Sequence, residues 1–288
     1  MSNKDLLDNI KKLREMTGVG FKDCKIALDE TKGDIEKSIE FLRKKGIAKA
    51  SKKMSRTASE GLALVKENSG QISIIEINSE TDFVAKNADF INFCKELSEI
   101  NFDTKGDLNI LNETKMKNGS LVKDNLVNLI AKIGEKITIR RANFFGNSNG
   151  KNFFYVHSAL EKGIGKIIAV VKLSGLSGDD KGEIGNKIAM HIAASNPLAI
   201  EKDKIDKNIV DKELEIIKAE IVNSGKPAEM AEKISKGKIS KFLSDNSLMS
   251  QLWIMDPKKK VVDILKENSS EKPLQVLEFV RYKVGEGV

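Results

Sequence analysis

Cysteine, histidine, tryptophan and proline are scarce: 288 residues hold two, two, one and four of them, and aromatic residues make up 5%. Cys24 and Cys94 are too few and too far apart for a disulfide framework or a zinc site, so reduced, buried thiols are expected, with no metal and no cofactor. His157 and His191 have no nucleophile or metal-ligand companion evident beside them, which leaves an enzyme reading without parts. No stretch approaches the roughly 18 consecutive apolar residues that span a bilayer, and Met1-Ser2-Asn3-Lys4-Asp5 opens no apolar run. The expectation is a cytoplasmic chain with no membrane contact. Phosphate-cradling loops are absent too. Gly146-Asn147-Ser148-Asn149-Gly150-Lys151-Asn152 is one residue short between its glycines and lacks the Ser or Thr that would hold magnesium. Gly163-Ile164-Gly165 precedes a strand-like run rather than a helix, so no direct nucleotide site is expected.

What is present suits a globular chain of two or three domains, with 40% apolar and 32% charged residues and a formal charge of +7. Much of that charge is local. From Phe41 to Ser59 there are Arg43, Lys44, Lys45, Lys49, Lys52, Lys53 and Arg56 and no acidic residue. Single-strand binding surfaces interleave aromatics with bases for stacking, and here only Phe41 is available, at an apolar helix position. A solvated linker is the first reading. An RNA-binding protein using this linker with Lys258-Lys259-Lys260 is the alternative, and its binding would fall steeply with salt.

Periodicity organises the chain. Leu6, Ile10 and Leu13 mark one helix, Cys24, Ala27 and Leu28 a second, and Ile35, Ile39 and Leu42 a third, together a small bundle with a mobile attachment through Ala48 to Ser59. Beyond it Leu62 to Val65 and Ile72 to Ile77 are strand-like, joined by the turn Glu67-Asn68-Ser69-Gly70. A helix from about Ala88 to Ile100 follows, and Lys136 to Phe145 adds a strand. The same order returns with Phe153 to Val156, Ile167 to Val171, a helix from about Asp180 to Ala194, and Leu277 to Val284. Val210, Leu214, Ile217 and Ile221 form a narrow seam, broken at Asn223-Ser224-Gly225-Lys226-Pro227 and followed by Met230, Ile234 and Phe242: a helical hairpin, read either as a coiled-coil arm or as a plain packed pair. The fold class is α+β: a small N-terminal three-helix bundle, then two repeated α+β subdomains with small antiparallel sheets and the inserted hairpin. The divisions fall at 1–53 for bundle and basic linker, 54–145 and 146–288, with the hairpin at about 200–248 and a C-terminal module at about 270–288.

One loop stands out, Thr81-Asp82-Phe83-Val84-Ala85-Lys86-Asn87, where an acid sits beside a large aromatic. Phe83 either anchors on another protein, contributing roughly 1.5 to 3 kcal/mol there, or tucks into its own core while Asp82 caps the following turn. His191, beside Met190 and Ile192, reads as a satisfied structural histidine, and His157 stands at a strand end where a loop could present it. This heptapeptide, with Thr17-Gly18-Val19-Gly20-Phe21-Lys22-Asp23-Cys24, Lys132-Ile133-Gly134-Glu135 and Val284-Gly285-Glu286-Gly287, resembles the bacterial elongation factor Ts family across the whole chain. The resemblance implies a UBA-like N-terminal bundle, a coiled-coil insertion and no catalysis, but guanine-nucleotide exchange on elongation factor Tu as partner. It implies that Thr81, Asp82, Phe83 and Val84 dislodge the partner's magnesium ion, and that His157 and the N-terminal patch at Val19, Gly20 and Phe21 make further contacts. Where the family often carries two methionines after the Thr-Gly-x-Gly turn, this chain has Phe21 and Lys22. The hairpin seam also offers a homodimer contact.

Overall fold

The computed structural model describes residues 3–17, 19–176, 183–223 and 228–288. Helices α1 (Asn3–Thr17), α2 (Phe21–Glu30) and α3 (Ile35–Lys53) open the chain. Ile10 and Leu13, then Cys24, Ala27 and Leu28, then Leu42 close a small core between them, as their helical spacing requires.

The basic stretch departs from expectation. It is not a mobile linker: α3 runs through it to Lys53 as one helix. Small residues on one side explain why. Gly46 brings the helix to van der Waals contact with Ala131, where an added Cβ would sit 3.4 Å from that side chain, and Ala50 is buried in the next core. On its other sides Arg43 pairs with Asp124 at 2.8 Å, Lys44 with Glu40 at 2.7 Å and Lys45 with Asp23 at 3.1 Å, and past the helix end Arg56 pairs with Glu80 at 3.2 Å.

The antiparallel hairpin β1 (Glu60–Asn68) and β2 (Gln71–Ser79) turns through Ser69-Gly70, both at positive φ. Then come α4 (Ala88–Asp103), α5 (Leu108–Glu113), α6 (Val122–Ile133) and β3 (Ile137–Phe145), which pairs with β2. The order repeats in β4 (Lys151–His157), β5 (Ile164–Gly165), β6 (Ile167–Ser174) and α7 (Glu183–Ser195). After α8 (Lys207–Asn223), α9 (Ala228–Asp245), the short pair β7 (Leu252–Trp253) and β8 (Asp256–Lys260), and α10 (Val261–Glu267), the last strand β9 (Gln275–Lys283) pairs with β6. The sheets are ordered β3-β2-β1-β5 and β4-β6-β9, so hairpin, helix and returning strand correspond one to one in the two copies. The fold is α+β, with the inserted hairpin formed by α8 against α9; Ile217 and Ile221 are buried along its seam. Gly18, the helix start expected at Asp180, the turn residues 224–227 and the side chain of Met230 lie outside the described residues.

Both main sheets are buried on two faces. Ile75 and Ile77 of β2 face α4 and α6, while Ile72 and Ile74 on the alternate face meet Ile168, Val170 and Tyr282 of the second sheet. Ala169, Val171 and Leu173 of β6 in turn face α7 and α10. The layers therefore run helix, sheet, sheet, helix, which is why Ile72 to Ile77 and Ile167 to Val171 are nearly unbroken apolar runs. β5, from the second copy, joins β1 of the first and interlocks the two.

On the sheet-to-sheet face of β2 stands a fully buried carboxylate, Glu76. Its Oε1 accepts from Arg140 Nη1 at 3.0 Å, Asn78 Nδ2 at 3.1 Å and the Gly285 N–H at 3.0 Å, and its Oε2 accepts from Arg141 Nε. Burial by itself would raise its pKa, but the Gly285 N–H and the two guanidinium groups outweigh burial and hold it below the usual carboxylate range. Gly285 can come this close because it has φ +78° and no side chain; a Cβ there would fall 1.9 Å from Ser59 O. Because the folded pKa is depressed, the stabilisation from Glu76 is complete above its unfolded pKa of roughly 4.3 and is lost as pH falls through the lower folded value. Glu76→Ala is expected to destabilise the fold by about 3 kcal/mol at neutral pH, since it leaves two guanidiniums without their carboxylate, and urea midpoints of the two proteins should converge on acidification.

Candidate functional site

At the end of β2 the chain passes through residues 80–87 into α4, and almost every polar group of that passage is committed. Ser79 Oγ donates to Thr81 O at 3.0 Å. Thr81 gives both of its donors to one carboxylate, N–H to Glu135 Oε2 at 3.0 Å and Oγ1 to Glu135 Oε1 at 2.8 Å. Val84 and Ala85 form a single turn of 3-10 helix whose side chains are buried in the core beneath. The Lys86 N–H donates to Phe83 O at 3.1 Å and the Asn87 N–H to Val84 O at 2.9 Å. Asn87 then caps α4, its Oδ1 accepting from the N–H groups of Asp89 at 2.9 Å and Phe90 at 3.3 Å.

Phe83 is left at the apex of this pinned loop, 78% exposed. Its ring does not enter its own core, and Asp82 does not cap the next helix, because Asn87 already does. The Asp82 carboxylate instead accepts from Lys86 Nζ at 2.8 Å, and the same ammonium lies 6.0 Å from the Phe83 ring centroid. That hydrogen bond and charge, with Lys166 further off, hold the Asp82 carboxyl below its ordinary range.

The four residues Thr81, Asp82, Phe83 and Val84 are therefore not placed alike. A partner can meet Asp82 and Phe83, whereas the Val84 side chain points into the core at 5% exposure and cannot be a contact in this conformation. Successive side chains on this tight turn face different ways, Phe83 to solvent and Val84 and Ala85 to the core. Thr81 is half-buried and spent on Glu135.

His157 ends β4 and is exposed, with Tyr155 Oη 3.4 Å from its Nδ1. The loop after it borders the same cleft as the Phe83 loop, a volume of about 320 Å³ walled by Leu62, Asp82 and Lys86 on one side and Ser158, Leu160 and Lys166 on the other. The fold thus brings together two segments far apart in sequence. Val19, Gly20 and Phe21 are not part of that cleft. They belong to the helical bundle, where Val19 packs half-buried against its core, Gly20 precedes α2 and the Phe21 ring is 47% exposed. His191 is structural: it is buried, its Nε2 lies 3.0 Å from Gln251 Oε1, its Nδ1 accepts from the Ile254 N–H at 3.4 Å, and Trp253 stacks on it. Burial lowers its pKa and keeps it neutral. The residue that sequence reasoning missed is Glu135, whose bond to Thr81 spans 54 positions and leaves no local periodic trace. Among the described residues no group of three or more potential ligands converges on a metal site, and no helix is long and apolar enough to cross a membrane.

A helical bundle joined to two interlocked copies of a sheet-and-helix unit, with an exposed aromatic at one loop apex, defines a protein built from a duplicated α+β module. The family model described as Elongation factor TS matches residues 80–286. Elongation factor Ts of Clostridium kluyveri is 42% identical over 287 residues, covering 97% of this chain and 92% of its own. The Zymomonas mobilis protein is 39% identical over 282 residues, with 97% and 92% covered, and that of Maricaulis maris is 40% identical over 285 residues, with 97% and 91% covered. The chain belongs to the elongation factor Ts family, which places it in translation elongation.

Replacing Lys86 with Met removes the group beside Asp82. Carboxyl carbon NMR titration should then show the Asp82 pKa rising toward the ordinary value of about 3.9, with the backbone spectrum of the remaining chain unchanged.

Proposed function

We propose that this chain is a guanine-nucleotide exchange factor that binds elongation factor Tu in its GDP form, disturbs the magnesium and phosphate site there, and promotes GDP release so that GTP can rebind. Phe83 is the wedge, Asp82 acts on polar contacts beside it, and Thr81 and Val84 hold the loop. His157 and the patch at Val19, Gly20 and Phe21 supply further contacts. In this reading 1–53, 54–145 and 146–288 are the working divisions of the chain. The observation that carries the reading is the exposure of Phe83 on a loop whose neighbours Val84 and Ala85 are buried. A ring displayed on a fixed base can be driven between elements of a partner without first being ordered.

The mechanism is a free-energy coupling. Magnesium tolerates little distortion of its octahedral shell, so shifting one ligating element of the partner weakens ion and nucleotide together. Burying Phe83 releases roughly 1.5 to 3 kcal/mol, which offsets part of those lost contacts. Linkage makes the effect reciprocal: the nucleotide weakens the factor's binding as much as the factor weakens the nucleotide's, so incoming GTP expels it. Exchange needs no nucleotide site on this chain. The RNA-binding alternative loses support because most of the basic stretch lies on a docked helix, where Arg43, Lys44 and Lys45 are paired to carboxylates, as is Arg56 in the turn beyond it.

Stopped-flow release of a fluorescent GDP from elongation factor Tu tests the reading. Wild-type chain should accelerate release, and Phe83→Ala should lose on the order of tenfold or more of that acceleration with unaltered circular dichroism, the wedge having contributed a side chain's worth of burial. Release that is equally fast with the alanine variant would remove the wedge.

A further inference from the structure

The loop that presents Phe83 is braced from outside its own segment, by the C-terminal end of α6. Glu135 takes the N–H and the hydroxyl of Thr81 at 3.0 Å and 2.8 Å, and the next residue answers in the opposite direction, the Lys136 N–H donating to the Glu80 carboxylate. Dipeptides 80–81 and 135–136 are thus tied reciprocally. One turn earlier on α6, Lys132 reaches Asp89 in the first turn of α4 at 2.8 Å, so the same helix end grips the loop on both sides of Phe83. Gly134 makes this possible: it closes α6 in the left-handed conformation at φ 87°, which swings Glu135 back toward the strand end. Lys53, the last residue of α3, donates to the Gly134 carbonyl and fixes that turn from the N-terminal side.

We infer that Glu135 is a positioning residue for exchange, holding Thr81 so that the loop carries Phe83 in its docked direction before the partner arrives; this rests on the exchange reading above. With the N–H and hydroxyl of Thr81 on Glu135 and its carbonyl on Ser79, the strand end has no freedom, and the peptide plane leading to Asp82 and Phe83 is set. Without the carboxylate, two donors lose their acceptor, and after docking the loop must still be ordered inside the complex before the ring can act. The remaining docking surface is untouched, so the concentration of factor that half-saturates the reaction should hardly move. The loss should fall on the step inside the complex, where the ring acts.

The discriminating quantity is the saturating rate of GDP release. A variant that merely folds less well lowers the active concentration and shifts half-saturation, but reaches the same rate at saturation. Glu135→Ala is expected to lower the saturating rate about tenfold, in line with losing charge-assisted hydrogen bonds to an ordered loop, with half-saturation within about twofold of wild type. Glu135→Gln keeps an acceptor oxygen for Thr81 and should restore most of the rate. A saturating rate for Glu135→Ala equal to wild type, in a preparation where Phe83→Ala is slow, overturns the brace and leaves the exchange reading standing. Equal rates for Phe83→Ala and wild type overturn the exchange reading and the brace with it. Should Glu135→Ala fail to fold, Thr81→Val decides: it keeps shape and the backbone bond but deletes the hydroxyl, and a saturating rate equal to wild type would overturn the brace.

Discussion

A buried carboxylate between two sheets is the constraint on which the geometry depends. Glu76 sits where the sheets face each other, and the groups that neutralise it come from three places: Asn78 on its own strand, Arg140 and Arg141 on β3, and the backbone of Gly285 after the last strand. A carboxylate without those partners would cost several kcal/mol to desolvate, so the face closes only when the C-terminal turn is in register. Further ties fix the same turn: Arg140 reaches the Glu286 carbonyl and Arg281 holds the Glu286 side chain at 2.9 Å. The apolar residues of the two inner faces supply most of the burial, but they are non-directional. The ionic cluster supplies the register.

That register matters because the candidate site belongs to both halves. The Phe83 loop leaves β2 of the first sheet, and the His157 loop leaves β4 of the second. They border one cleft only because the sheets stack as they do and because β5, two residues long, crosses to pair with β1. The Lys166–Glu60 ion pair at 2.6 Å spans the same seam. A slip of one residue in the β1–β5 pairing would shift the two segments by about 3.3 Å against each other and turn the side chains of the slipped strand to the wrong face. Position in the cleft is thus inherited from packing far below it.

The sequence announced its elements better than their contacts. Stripes at Ile10 and Leu13, at Cys24, Ala27 and Leu28, and at Ile217 and Ile221 translate directly into buried helix faces, because periodicity is a local signal of one-sided burial. The duplicated order of strand pair, helix and returning strand was equally readable. The continuous apolar run Ile167 to Val171 carried the information that both faces are covered, but not that the second cover is another sheet. Charge misled at α3: seven basic residues between Phe41 and Ser59 suggested a solvated tether, whereas Gly46 and Ala50, too small to register as a stripe, form a helix face that docks. The burial of Val84 and Ala85 beside the exposed Phe83 left no trace in the motif, since which side chains of a tight turn face the core depends on the fold beneath it. Glu135 was invisible as a brace, since a hydrogen bond between distant segments depends on the fold that brings them together.

The weak interactions around Phe83 complete the arrangement. A lone exposed ring is no aggregation hazard when charged groups flank it, and here Asp82 and Lys86 do so at once. Their ion pair is half or more exposed on both sides, so water screens it and it adds little to stability. It is strong enough to bias the Asp82 side chain toward Lys86 and too weak to resist a better partner. The backbone beneath is the reverse, with Thr81 bonded at three atoms and Val84 and Ala85 packed in the core. A rigid base with loosely tethered tips loses little entropy in its main chain on docking and breaks little in its side chains. On the exchange reading that division is what allows Asp82 to trade Lys86 for contacts on the GTPase while Phe83 keeps its direction.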